Sequence, residues 1–153
     1  MKIRFRYICI AVVIVIFAFC KGIGLANDRI ARAMEARLTA YPLPANTVLV
    51  DSKAIAGRVA GNGNGMQYRG MLLLGSELTE EELLAHYKPL CGENEFLWIG
   101  LQESRRIFEY QNYWFDTWDE SQTMWYVELF TDSLVGYEKT LWEEILNMDL
   151  RGH

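Results

Sequence analysis

Residue types that support catalysis, metal binding and disulfide formation are scarce in this sequence. Its 153 residues include two histidines and three cysteines, and two of the cysteines, Cys9 and Cys20, lie in an apolar N-terminal segment. Cys91 is the one cysteine left for the rest of the chain, so an internal disulfide cannot form there. Zinc needs three or four clustered His and Cys ligands. We therefore expect no metal site, and nothing in the sequence implies a cofactor.

Acidic residues are absent from the first 26 positions, and basic residues are in deficit after them. Four of the 15 basic residues and none of the 20 acidic residues lie in residues 1–26, which leaves residues 27–153 with a net charge of −9. A duplex-binding surface needs a surplus of Lys and Arg, so we expect no nucleic-acid partner. Only three residues are proline and 51% are apolar, which excludes a disordered chain and fits one ordinary domain.

An unbroken apolar run of 13 residues at positions 8–20 follows three basic residues. Counted as residues 7–26, the stretch is roughly 30 Å long as a helix, which matches a bilayer's hydrocarbon core. Counted strictly, it has the length of a secretory signal, with small residues at 24–26 for a signal peptidase. The run is rich in β-branched residues, and Lys21 directly follows it, where its side chain can extend to the lipid headgroups. Both features favour a single-pass membrane anchor over a cleaved signal. Both alternatives predict a domain outside the cytoplasm.

The composition changes along the chain predict three segments. They are a membrane anchor or signal at residues 1–26, a juxtamembrane helix and linker at 27–44, and an extracytoplasmic domain at 45–153. The juxtamembrane helix is expected to reach about residue 40, and its apolar residues fall on one stripe: Ile30, Met34 and Leu38. This helix is either a stalk beside the membrane or part of the packed domain.

Strand and helix patterns follow one another in the rest of the chain. Strands are predicted at residues 47–50, 55–60, 66–74, 96–101, 107–110, 113–115 and 124–130. Thr79 and Glu82 form a capping-box pattern that begins a helix ending near Pro89, and a final helix is predicted at 137–149. This order predicts an α+β fold, with a mainly antiparallel sheet and two helices packed on one side.

A glycine-rich loop, GNGNG at residues 61–65, separates two of the predicted strands. Asn-Gly pairs favour tight hairpin turns, so the pattern predicts a β-hairpin with this loop at its tip. A phosphate-binding loop leads into a helix and carries a Lys followed by Ser or Thr, and this loop has neither feature. Asn62 and Asn64 are instead candidate contacts for a small ligand or a partner at an exposed loop.

Eight aromatic residues crowd into residues 108–126, among several carboxylates. Aromatic faces beside acidic groups bind sugar rings, cationic groups or a basic partner segment. We therefore take Trp114, Asp116, Trp118 and Asp119 as candidate binding residues. The alternative is that these rings fill the core of a small domain without a disulfide.

Several short motifs together resemble small exported or membrane-tethered domains of the Gram-positive bacterial type. They are the apolar leader, YPLP at residues 41–44, GNGNG before a strand, and SELTEEEL at residues 76–83 followed by His86 and Tyr87. The resemblance covers mainly residues 41–90. It implies a fold and a location, and it carries over no catalytic residue.

Catalytic arrangements are few. His86 is the one histidine inside the domain, and it precedes Cys91 by five residues across a helix end. The leading hypothesis is a non-enzymatic, membrane-tethered binding or accessory module that contacts the membrane through residues 7–26 and binds a protein or glycan partner. The alternative is a small cell-envelope hydrolase that uses His86 with Cys91 or a carboxylate.

Overall fold

The computed structural model describes residues 2–58, 65–107, 113–132 and 140–149. The helices are α1 (Lys2–Ala40), α2 (Glu80–Tyr87) and α3 (Leu141–Leu146), and a 3₁₀ turn at Lys88–Leu90 follows α2. The strands are β1 (Thr47–Gly57), β2 (Gln67–Ser76), β3 (Phe96–Leu101) and β4 (Met124–Asp132). A long apolar helix, an antiparallel sheet and two further short helices confirm the predicted α+β fold.

The four strands form one antiparallel sheet in the order β1-β2-β4-β3. β1 and β2 pair as the predicted hairpin, with Gly57 opposite Gln67 at the loop end. Of that loop, Asn62 and Asn64 lie outside the described residues. β2 lies in the centre, and all of its residues after Gln67 are buried, because both faces of the sheet are covered.

The C-terminal half of α1 packs against the first face of the sheet, across β1 and β2. Its buried residues recur every three or four positions, which is the period of one helix face: Ile23, Asn27, Ala31, Met34 and Leu38. Ala31, Met34 and Leu38 join a core with Leu72, Leu74, Val127 and Leu129 from the sheet, and with Leu83 and Tyr87 from α2. Residues 27–40 are therefore part of the packed domain.

A buried polar cluster fastens α1 to the sheet and to α3. The Asn27 side-chain amide donates to Leu146 O (3.1 Å) and to Asp149 Oδ2 (2.9 Å), and its oxygen accepts from Tyr68 Oη at 2.9 Å. Burial, reinforced by the nearby charge of Asp149, raises the pKa of Tyr68 to about 12, so its hydroxyl stays protonated and donates. Every group in the cluster is thereby satisfied, which is the condition for burying it.

The N-terminal half of α1 extends beyond the sheet. Its large apolar side chains from Phe5 to Phe19 are each more than half exposed. Within the described residues, this is the one helix long and apolar enough to cross a membrane, judged by length and composition. No proline interrupts its 39 residues, so the exposed half and the packed half form a single helix.

The second face of the sheet is covered by the long connection between β3 and β4. Ile107 and Phe115 from this connection pack on Met71, Leu73 and Tyr126 of the sheet. An ion pair between Arg69 and Glu128 is also buried here, at 2.6 Å, and Tyr126 Oη donates to the same carboxylate. The two faces of β4 alternate, because Trp125, Val127 and Leu129 belong to the other core.

Three predicted strands differ from the structure. Residues 47–50 and 55–60 were expected to be separate strands, but residues 47–57 form the single strand β1. The pairing shifts between Leu49 and Asp51, so Val50 is the extra residue of a β-bulge. Residues 113–115 form no strand of the sheet and contribute one isolated bridge, Arg106 to Trp114. Of the predicted strand at 107–110, only Ile107 is described.

The final helix is shorter than the predicted span of residues 137–149. α3 begins behind a capping box of Thr140 and Glu143 and ends at Leu146, and residues 137–139 lie outside the described residues. Leu141, Trp142 and Met148 are exposed, so most of the large apolar side chains of this segment do not pack on the domain. A helix of six residues has few side chains within reach of α1, and Leu146 is the one that is buried.

Gly70 lets α1 approach β2 closely. A Cβ at this position would overlap the backbone of Met34 and would lie 2.8 Å from the Cα of Glu35. Those atoms belong to the helix backbone and cannot rotate away, so the absence of a side chain at position 70 sets the distance between helix and sheet.

Replacing Gly70 by alanine is expected to destabilise the fold by about 1–3 kcal/mol, because the added methyl group pushes α1 off the sheet. The measurement is guanidinium unfolding of the full chain in detergent, followed by tryptophan fluorescence. Gly100→Ala is the matched control, since a Cβ there meets only the Trp98 indole nitrogen at 3.3 Å. Equal stability of the two variants would contradict the close contact.

Candidate functional site

The four described candidate residues all lie on the connection between β3 and β4. Trp114 is exposed, with half of its surface open to solvent. Trp118 is partly buried and packs on the core of the second sheet face. The aromatic cluster is therefore divided between core and surface. The core interpretation describes some of its members, and the interpretation as an exposed aromatic surface describes others.

Asp116 fixes the connection to β1. Its carboxylate pairs with Lys53, its backbone N–H donates to Asp51 Oδ2 at 2.5 Å, and its backbone oxygen accepts from Arg105 at 2.7 Å. The hydrogen bond and charge of Lys53 lower the pKa of Asp116. These contacts make Asp116 a residue that positions the loop.

Asp119 organises the turn that follows. Its Oδ1 accepts from the Ser121 hydroxyl (2.6 Å) and N–H (2.9 Å), and its Oδ2 accepts from the Gln122 amide at 2.8 Å. These bonds, with that of the Ser121 hydroxyl the largest cause, lower the pKa of Asp119. The Gln122 amide in turn lies over Gly75, where a Cβ would overlap it. Asp119 therefore holds Gln122 in place.

This turn lies between two depressions at the end of the sheet formed by Ser76, Met124 and Leu101. One has a volume of about 570 Å³ and the other about 310 Å³, and they share Gln122 and Thr123 as lining residues. We call the two together the distal groove. Of the predicted candidates, Trp118 is the one that lines it.

The lining of the distal groove is acidic. Glu77 contributes to the larger depression, and Glu103 and Glu120 lie with Trp118 in the smaller one. Its described lining residues include no Lys or Arg. Carboxylates beside an indole ring suit a cationic group, which is attracted by charge and by the ring face.

Sequence reasoning missed Gln122, Gly75 and the buried ion pair of Arg69 and Glu128. The pair had a visible signal, because each charged residue interrupts the apolar pattern of a central strand. Arg69 also lies over the Phe130 ring, with 4.7 Å from its Cζ to the ring centroid. Gln122 had no such signal, since its role depends on a turn that brings it over Gly75.

His86 and Cys91 each have a backbone partner. His86 Nε2 bonds to Pro42 O at 2.7 Å, and its ring packs against Tyr41 and Tyr87. Cys91 Sγ donates to Glu95 O at 2.9 Å. Burial and the charge of Glu95 raise the pKa of the Cys91 thiol, whereas an activated nucleophile has a lowered one. These contacts tie α2 and the turn after it to neighbouring loops.

Comparisons of the chain with protein-family models, with curated proteins and with solved structures found no match. Within the described ranges, no three His, Cys, Asp or Glu side chains cluster as metal ligands would.

Cys91 is expected to react more slowly with iodoacetamide than glutathione does at pH 7, because only the thiolate attacks and the raised pKa keeps the thiol protonated. The labelling rate should continue to rise as the pH is increased beyond about 8.5, which is the usual pKa of a free cysteine thiol. The measurement uses the chain with Cys9→Ala and Cys20→Ala, so that one thiol remains. Faster labelling than glutathione at pH 7 would contradict this and favour the hydrolase alternative.

Proposed function

We propose that this protein is a single-pass, membrane-anchored binding or accessory module whose folded domain lies outside the cytoplasm and acts without catalysis. The observation that carries the proposal is the dual character of α1. Its N-terminal half exposes apolar side chains that need a lipid environment, and its C-terminal half is part of the core of the domain.

The burial at the junction favours a retained anchor over a cleaved signal. Cleavage after Ala26 would remove Ile23, which is 5% exposed, from the core. It would also create a charged amine on Asn27, a residue whose side chain is fully buried among Tyr68, Leu146 and Asp149. An unpaired charge at such a position is costly, so the domain is more stable with the helix intact.

The short N-terminus favours a domain outside the cytoplasm. Three basic residues precede the apolar run, and Lys21, Arg29 and Arg32 follow it closely, so the positive-inside rule is nearly balanced here. A short basic N-terminus ahead of an apolar helix is the usual arrangement of an export signal, and this arrangement supports the proposed side.

The distal groove is the surface that we assign to the partner. Tyr68 contacts α1 near the membrane segment and pairs with Thr131 of β4. Trp125, at the groove end of the sheet, lies six residues from Thr131 along the same strand. Because a strand rises by about 3.3 Å per residue, the two ends are about 20 Å apart. The groove therefore faces away from the bilayer, where a basic segment of another protein has access to it.

The anchor proposal predicts that the mature protein retains residues 1–26 and stays in the membrane fraction after alkaline carbonate extraction. The intact mass of the purified protein tests retention, and protease treatment of intact cells tests which side the domain occupies. We expect the full-length mass and digestion of the domain from outside. A mass that lacks residues 1–26, or a full-length chain in the soluble fraction, would contradict the proposal.

The groove proposal predicts that an oligolysine peptide binds the full chain in detergent and quenches or shifts its tryptophan fluorescence. Glu120→Gln should weaken this binding about 1.4- to fivefold, since an exposed charge contact is worth roughly 0.2–1 kcal/mol. Glu81→Gln, which removes an exposed carboxylate on α2 outside the groove, should leave it unchanged. Binding of a chito-oligosaccharide but not of the peptide would assign a glycan partner instead, and equal effects of both variants would exclude the groove.

A further inference from the structure

β3 is an edge strand of the sheet, and its outer edge is not paired with any described residue. At the end of its ladder with β4, the Gln102 N–H donates to Met124 O at 3.0 Å. Hydrogen bonding alternates along an antiparallel pair, so every second residue of β3 directs its backbone groups away from β4. These outward residues are Leu97, Ile99 and Leu101, and each presents an N–H and a C=O to a further strand.

The two edges of the sheet differ in their protection against an added strand. β1, at the other edge, carries Asp51, Lys53 and the bulge at Val50. Charged side chains and bulges are features that keep an edge strand from pairing. β3 has the sequence FLWIGL, without a charged residue or a proline, and no bulge interrupts its described pairing with β4. The edge at β3 is therefore the one open to an added strand.

The exposed side chains of β3 are large and apolar. Phe96, Trp98 and Leu101 are each more than half exposed. Phe96 and Trp98 lie on the same face as Phe130 and Glu128, and the Phe96 and Phe130 rings stack with 5.2 Å between their centroids. Aromatic rings pair favourably with β-branched residues of a neighbouring strand. β3 therefore suits an extended segment in which every second residue is β-branched.

This edge is continuous with the distal groove. Leu101 is the last residue of β3, and it also lines the smaller depression, together with Glu103 and Trp118. A basic residue bound in that depression would bring the chain that follows it beside the outward backbone groups of β3. Because the other strand pairs are antiparallel, we expect the added strand to begin at this end and to run toward Phe96.

A second copy in the same bilayer cannot pair antiparallel with this edge. Two antiparallel β3 strands would be related by a twofold axis perpendicular to the strands. The strands run between the end beside the apolar half of α1 and the groove end, so this axis would direct the second anchor away from the first. The edge therefore suits a segment of another protein.

We propose that the partner adds an antiparallel strand to β3. A basic residue at the N-terminal end of the partner segment occupies the distal groove, and the residues after it bond to the backbones of Leu97, Ile99 and Leu101. This inference rests on the proposed function and specifies how the partner binds. The backbone bonds supply affinity, and the contacts with Phe96 and Trp98 supply the preference for alternating β-branched residues.

The test uses a fluorescent peptide of two lysines followed by alternating valine and threonine, with the full chain in detergent. Two further peptides carry N-methyl groups on one or the other alternate set of residues, so charge and side chains stay the same. Methylation of the set that faces β3 removes its donors, and we expect binding, measured by anisotropy, to weaken by a factor on the order of tenfold. Methylation of the other set should leave binding unchanged.

Amide exchange, measured by NMR, locates the bound peptide. The peptide should slow exchange at Leu97, Ile99 and Leu101, and leave it unchanged at Trp98, whose N–H already faces β4. Trp98→Ala should also weaken peptide binding severalfold. Leu49→Ala is the control, because it truncates an exposed apolar residue at the other edge of the sheet and should leave binding unchanged.

Equal effects of the two methylated peptides, or binding without slower exchange in β3, would overturn the added strand. If oligolysine still binds in that case and Glu120→Gln still weakens it, the failure concerns the strand alone. Loss of oligolysine binding as well would contradict the groove on which the inference rests. A dimer of the chain that the peptide dissociates would assign the edge to a second copy and would also overturn the proposal.

Discussion

The contact between α1 and β2 at Gly70 determines how the rest of the molecule is arranged. Because the helix backbone lies directly on this glycine, α1 is held against the central strand of the sheet. The cluster around Asn27 adds a second attachment nearer the apolar half of α1. Between them the helix has no break, so the domain is attached to its apolar segment through a rigid element.

This attachment gives the domain two ends with different chemistry. The end with Tyr68, Asn27 and α3 lies beside the apolar half of α1, and the residues exposed there include Trp142 and Met148. The opposite end carries the distal groove, with its carboxylates and Trp118. In the proposed orientation, the first end faces lipid and the second faces a partner.

Much of the fold follows from local patterns in the sequence. The capping box of Thr79 and Glu82 and the strand at residues 124–130 were both confirmed, because each depends on residues close together in the chain. The contact at Gly70, the bulge at Val50 and the path of the β3–β4 connection depend on residues far apart in sequence. For that reason the candidates Asp116 and Asp119 were identifiable as unusual, but their role in holding the loop was not.

α1 continues unbroken from its apolar half into the core of the domain. Amide hydrogen exchange across residues 20–28 of the full chain, reconstituted in vesicles, is the measurement that tests this continuity. A continuous helix predicts slow exchange through Gly22 and Gly24, comparable with that of the packed residues 31–38. Fast exchange confined to residues 22–26 would show a hinge or linker there and would contradict a rigid attachment of the domain to the membrane.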